Sequence, residues 1–198
     1  MKKRKLVIFD FDGTITNKDS FIDFIKFAQG TFRFYFGLLI LSPTIIAYLL
    51  SFISNNIAKE KLISHFFKGC DSILFRNIAN KYSKEQIDKI VRPKALEKIK
   101  WHQDKGHKIV IVSASMECWL SGWCEKNKLE LIATKLESEN NRLTGKFSTK
   151  NCNGIEKVNR IKENYNLEDY EVIYAYGDSK GDNEMLSIAD KKYYKYFE

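Results

Sequence analysis

The chain has 198 residues, 44% apolar and 29% charged, with two prolines: enough for one catalytic domain with an inserted module, too short for two tandem domains, and too apolar for a disordered chain. A formal net charge of +8 favours anionic partners, yet no RNP, zinc-finger or helix-turn-helix pattern accompanies it, so nucleic acid is not expected. The four cysteines lack CxxC spacing and the three histidines lack HxxxH spacing, which argues against zinc. Scattered thiols without a secretion signal point to a reducing cytoplasm.

In chain order, the basic run Lys2-Lys3-Arg4-Lys5 imitates the start of a signal peptide. Asp10 and Asp12 cut the apolar run Leu6–Phe9 short, however, and it reads as a buried strand closing in the polar loop Asp10-Phe11-Asp12-Gly13. Residues 20–91 are aromatic-rich and helical in pattern, and they interrupt the sheet after its first strand. A helix over Lys94–Gln103, ended by Gly106, leads to a strand over Lys108–Val112 that stops at Ser113. Met116–Lys126 is helical, and Leu129–Ala133 is a strand. Between Thr134 and Ser148 two half-apolar stretches flank Glu139-Asn140-Asn141-Arg142, as a hairpin or a loose loop. Gly154–Tyr165 carries Ile155, Val158 and Ile161 at helical spacing, and Glu171–Tyr176 is a strand ending at Gly177-Asp178. The alternation predicts an α/β fold with a parallel sheet covered on both faces, residues 1–19 and 92–198 forming the core and 20–91 a helical cap.

In open parallel sheets ligands bind beyond the carboxyl ends of the strands. Asp10, Asp12, Ser113 and Asp178 fall there, with Lys157 on a nearby helix. Residues two apart on extended backbone point the same way, so Asp10 and Asp12 share one crevice. Clustered carboxylates need a cation, and Asp10, Asp12 and Asp178 together suit Mg²⁺. A phosphomonoester repels nucleophiles until cations surround it, and Mg²⁺ with Lys157 would supply them. Asp10 is then the candidate nucleophile on phosphorus and Asp12 the candidate general acid and base. Ser113, and backbone N–H groups beside Phe11 and Ala114, are the candidates for holding phosphoryl oxygens.

Asp10-Phe11-Asp12-Gly13-Thr14, Val112-Ser113-Ala114-Ser115, Lys157 and Gly177-Asp178-Ser179-Lys180-Gly181-Asp182 resemble, in order, the four motifs of the haloacid dehalogenase superfamily. The resemblance implies a Rossmann-like core with a β-hairpin extension and an all-helical C1-type cap. It also implies that Asp10 is nucleophile and metal ligand, that Asp12 is acid/base and offers its carbonyl to the metal, that Asp178 ligates Mg²⁺, and that Asp182 supports Asp178 or Lys157. An Asp two residues after the nucleophile favours phosphatases and phosphomutases over dehalogenases and ion-pumping ATPases. The cap position, with Leu143-Thr144-Gly145 and Asn151–Lys157, is similar to subfamily IB, which includes phosphoserine and phosphatidylglycerophosphate phosphatases. Asp19 stands where phosphoserine phosphatases carry a supporting Glu, and Gly13 where they often have Ser.

Between Arg33 and Lys59 there is no charged residue, and Phe34–Ile53 is long enough to span a bilayer by length alone. A single span would separate Asp10 from Ser113, Lys157 and Asp178. Ser42-Pro43 instead predicts a second helix start, Ser as N-cap and Pro at the first helical position, giving a helical hairpin with both ends on one side. That hairpin reads equally as the buried interior of a soluble cap or as a surface that settles, through the flanking Arg33, Lys59, Lys61 and Lys68, on the inner face of an anionic membrane. The expected substrate is accordingly a lipid phosphate or a small soluble phosphomonoester.

Overall fold

The computed structural model describes residues 4–198, so Lys2 and Lys3 of the basic run lie outside the described residues. In chain order the strands are β1 (Arg4–Phe9), β2 (Lys108–Met116), β3 (Glu130–Thr134), β4 (Leu136–Glu139), β5 (Arg142–Phe147), β6 (Tyr170–Gly177) and β7 (Lys191–Tyr194). Among the described residues β3, β2, β1, β6 and β7 form one sheet in that order, every pair parallel, and β4 pairs with β5 as an antiparallel hairpin. β1 is central: Phe9 is in register with Ile111 on one side and Tyr176 on the other.

Both faces of β1 are covered, which is why its sequence is a continuous apolar run rather than an alternation. Val7 and Phe9 pack on one face with α6 (Pro93–Asp104) and α7 (Glu117–Lys126), through Ala95, Ile99, Trp119 and Leu120. Leu6 and Ile8 pack on the other with α8 (Ile155–Asn164) and α9 (Asn183–Ser187), through Ile161, Met185 and Leu186. The α/β fold read from the sequence is thus the observed one. β7 and α9 were not legible, because Lys191-Lys192-Tyr193-Tyr194 is a short, charged edge strand without an apolar run.

Five helices lie between β1 and α6: α1 (Ser20–Ile40), α2 (Ser42–Leu49), α3 (Asn55–Phe67), α4 (Ser72–Glu85) and α5 (Ile87–Ile90). They are welded to the first sheet face by aromatic packing. Phe24 stacks on Trp119 with ring centroids 4.3 Å apart and meets Phe75 and Tyr82 edge-on at 5.6 and 5.4 Å. Burying side chains of this size contributes about 1.5–3 kcal/mol each. The β4–β5 hairpin turns through Asn140 and Asn141, both at positive φ, the two-residue turn that matches strand twist. It also holds the helical segment: Gly69 N–H donates to Leu143 O at 2.8 Å and Leu143 N–H to Cys70 O at 3.0 Å.

The segment Phe34–Ile53 differs from the expected helical hairpin. α1 runs on to Ile40, interrupted at Gly30 (φ 75°), and the chain bends by only 64° into α2. Leu41, not Ser42, is the N-cap, and no side chain caps the helix; Pro43 sits in the first turn, where its missing N–H costs nothing. No helix among the described residues is by itself long and apolar enough to cross a membrane.

Candidate active site

Asp10 continues the β1 ladder by one residue, its N–H donating to Tyr176 O at 2.9 Å. Phe11 then turns inward, fully buried and edge-on to Trp123 with centroids 5.4 Å apart, so Asp10 and Asp12 on either side of it face one cleft of about 560 Å³. The loop closes on the Phe11 carbonyl, which accepts from the N–H groups of Ile15 (2.9 Å) and Thr16 (3.0 Å). Gly13 sits at φ 86°, and the Asp178 carboxylate fills the space a Cβ there would need, so conformation and crowding both demand glycine.

Asp178 follows β6, and Lys157 comes from the first turn of α8, tied to the Asp178 loop by Gly154 N–H to Gly181 O at 2.9 Å. Lys157 is fully buried; its Nζ donates to Asp10 Oδ1 at 2.5 Å and Asp182 Oδ1 at 2.6 Å. The other Asp182 oxygen accepts from Ser179 N–H (3.0 Å), Ser179 Oγ (2.9 Å) and Asp178 N–H (3.2 Å). Asp182 is therefore a positioning group with both oxygens occupied.

Burial opposes the charge on Lys157, but Asp10 and Asp182 hold its pKa above the ordinary lysine value. Burial would raise Asp182 too, and Lys157 with Ser179 holds it below the usual carboxylate range. Asp10 is pushed by burial up to about 8, with Lys157 pulling against the rise and Asp182 and Asp12 adding to it. Burial likewise raises Asp178, opposed by the Thr14 hydroxyl that donates to its Oδ1 at 2.9 Å. The centre thus holds more carboxylate than Lys157 can balance.

Asp12 is held at both oxygens. Ser20 N–H donates to Oδ1 at 2.6 Å and Ser115 Oγ to Oδ2 at 2.5 Å. Ser113 is fully buried behind Asp12; its Oγ accepts from Ser115 N–H at 3.0 Å and lies 3.5 Å from Asp12 Oδ2, while neighbouring Ala114 lines the cleft. Asp19 also lines the cleft, and its Oδ1 caps α1 by accepting from Phe21 N–H (2.8 Å) and Ile22 N–H (3.1 Å). Asp10, Asp12, Asp178 and Lys157 line this cleft, whereas Ser113, expected to hold a phosphoryl oxygen, is buried behind Asp12 and does not line it. Sequence reasoning missed Ser115, although its place two residues after Ser113 puts it on the same side of the strand. It also missed Thr14 as the Asp178 partner, and the helical-segment residues Tyr48, Asn55 and Lys59 that reach the cleft.

Asp10, Asp178 and Asp182 each bring a carboxylate oxygen within 4.8 Å of the others. Among the described residues no donor reaches Asp10 Oδ2 or Asp178 Oδ2. Two free oxygens, an oxygen-only donor set and a surplus of negative charge fit a hard divalent cation such as Mg²⁺, held by Asp10 and Asp178.

The profile of the haloacid dehalogenase-like hydrolases matches residues 7–187. The chain is 37% identical over 194 residues to protein CicA of Caulobacter vibrioides, covering 97% of this chain and 86% of that one. It is 30% identical over 193 residues to a probable phosphatase of Mycobacterium tuberculosis, covering 93% and 66%. Among solved structures, a protein of unknown function from Bordetella pertussis Tohama I superposes with TM-score 0.83 at 20% identity, over 95% of this chain and 88% of that one. The phospho-aspartyl intermediate analogue of a phosphoserine phosphatase superposes with TM-score 0.63 at 25% identity, over 96% and 86%. The chain belongs to the haloacid dehalogenase-like hydrolases. Two of these matches, the Mycobacterium tuberculosis relative and the phospho-aspartyl analogue structure, are of proteins named as phosphatases.

Proposed function

We propose that the enzyme hydrolyses phosphomonoesters with Mg²⁺ through an aspartyl-phosphate on Asp10. The observation that carries this reading is the contrast at Asp10: Lys157 fixes Oδ1, and no donor among the described residues engages Oδ2 at the cleft. Asp10 Oδ2 bonds to phosphorus as the ester P–O bond breaks, and protonated Asp12 gives its proton to the departing oxygen. Water then attacks phosphorus, its proton passes to Asp12, and inorganic phosphate leaves a regenerated Asp10. Ser20 N–H and Ser115 Oγ keep Asp12 aimed in both steps. Mg²⁺, when bound, would neutralise phosphoryl oxygens so that a carboxylate can approach. The likeness to a phospho-aspartyl analogue of phosphoserine phosphatase supports the same intermediate.

Residues 20–91 act in this reading as the substrate-selecting cap over a core of 1–19 and 92–198. Lys18, Lys59 and Lys180 line the cleft beside the carboxylates, which favours a leaving group with negative charge beyond the reacting phosphate, as in a phospholipid headgroup. Phosphoserine is the second reading, favoured by the phosphoserine phosphatase likeness. The test is a quench of enzyme turning over a phosphate-labelled monoester. Wild type should carry a hydroxylamine-sensitive label and Asp10→Asn none; an equally labelled variant would remove Asp10 as nucleophile.

A further inference from the structure

The break between α1 and α2 builds a protruding apolar tip. α2 has no buried residue, and Phe32, Phe36, Leu39, Ile46, Leu49 and Phe52 are between 54% and 82% exposed. Isolated exposed apolar residues are ordinary, but a run of large ones on one protrusion marks a contact surface. No carboxylate occurs from residue 24 to residue 59, whereas Lys26, Arg33 and Lys59 do. Lys26 and Arg33 are exposed, and Lys26 Nζ stands 5.4 Å from the centre of the Tyr35 ring, at the edge of the apolar surface.

The same tip borders the cleft. Tyr48, from α2, lines the cavity that holds Asp10, and its hydroxyl accepts from Asn55 Nδ2 at 3.1 Å, with Asn55 lining the cavity too. Apolar surface, basic rim and cleft mouth are therefore continuous. β1 before the segment and β2 after it lie side by side in one sheet, so the tip leaves and returns on one side.

We propose that residues 32–52 dock the enzyme peripherally on an anionic lipid bilayer, side chains of the tip entering the interface and the exposed Lys26 and Arg33 meeting the headgroups. Charge selects this occupant over a second copy of the chain. A two-fold contact would bring each carboxylate-free, basic tip against its own twin, whereas an anionic bilayer complements it. The bent helix pair, neither member of which is long and apolar enough to cross a membrane alone, suits a segment that lies on one. Docking would present phosphomonoesters at the membrane surface to the Tyr48 edge of the cleft, and this consequence rests on the phosphatase reading.

The test is sedimentation of the full chain with vesicles of phosphatidylcholine alone and with vesicles partly replaced by phosphatidylglycerol, beside hydrolysis of a small soluble aryl phosphate. Wild type should pellet preferentially with the anionic vesicles, and salt should weaken that preference. Leu39→Asp combined with Leu49→Asp should bind them about tenfold more weakly or worse, with unchanged melting temperature and unchanged aryl phosphate hydrolysis, since both side chains are mostly exposed and outside the cleft. Wild type remaining in the supernatant, a double variant that pellets like wild type, or a dimer in solution that the double variant dissociates in place of vesicle binding would each overturn the proposal. Vesicle binding without aryl phosphate hydrolysis would leave docking standing and count against the phosphatase reading.

Discussion

Asp178 occupies the space that a side chain on Gly13 would need, so the nucleophile loop and the acidic loop after β6 fit only if residue 13 has none. Gly13→Ala should therefore displace Asp178 as well as strain a backbone at φ 86°. We expect kcat/KM to fall by about 100-fold or more, with a stability loss of about 1–3 kcal/mol. Steady-state kinetics beside denaturant melts would check both, and near-wild-type activity would show that the two loops are not coupled in this way.

Asp10→Asn nearly preserves side-chain volume but supplies no carboxylate for attack. Turnover should drop by about 10³-fold or more while the far-ultraviolet circular dichroism spectrum stays that of the folded protein. The Asp10 reading does not survive a variant that turns over at the wild-type rate.

Chelator should silence the enzyme and added Mg²⁺ should restore it, because clustered carboxylates, with oxygens of Asp10, Asp178 and Asp182 within 4.8 Å of one another, repel unless a cation relieves them. Asp178→Asn should shift the Mg²⁺ activation curve to higher concentration by about tenfold or more. Full activity in excess chelator contradicts the metal assignment.

Lys59 joins the helical segment to the second motif: its Nζ donates to Ala114 O at 3.1 Å and lies 5.0 Å from the centre of the Phe21 ring, at the wall of the cleft. Lys59→Met keeps the length and removes the charge. We expect KM for an anionic phosphomonoester to rise about tenfold with a smaller change in kcat, as for a residue that binds ground and transition states alike. An unchanged KM would assign Lys59 to structure alone.

Beneath the site His102 is fully buried, with Nε2 3.0 Å from Tyr176 Oη and Nδ1 2.8 Å from His107 Nδ1. Burial, with His107 and Lys98 adding, lowers its pKa from 6.5 to about 3. The unfolded chain then binds a proton that the native one refuses between pH 6.5 and about 3, so stability rises with pH across that window and is lost as pH falls through it. The melting temperature should decline on acidification below neutrality more steeply in wild type than in His102→Gln.

The legible part of the site came from a rule about backbone. Asp10, Asp12, Ser113 and Asp178 announce themselves because each ends or follows an apolar strand, and parallel strands end at one edge. What holds them was not legible. Ser115 orients Asp12 from 103 residues away and Ser20 from the start of the helix that follows the loop, and such contacts depend on packing that no local pattern records. Lys59 and Tyr48 reach the cleft because the helical segment folds over it, and the N-cap position falls on Leu41 rather than on the Ser42 that the sequence offered. The second helix at Ser42-Pro43 was legible from its turn chemistry; its angle was not.

The central place of β1 also sets when the enzyme becomes active during its own synthesis. β1 must wait for β2 on one side and, much later in the chain, for β6 on the other before Asp10 N–H finds Tyr176 O. Pairing across such separations is entropically expensive and slow. A ribosome-bound chain that has emerged only as far as α8 already contains Asp10, Asp12, Ser113 and Lys157, yet lacks the strand that positions the first and the loop that supplies Asp178. Nascent chains should consequently stay chemically silent until β6 and the loop after it have emerged.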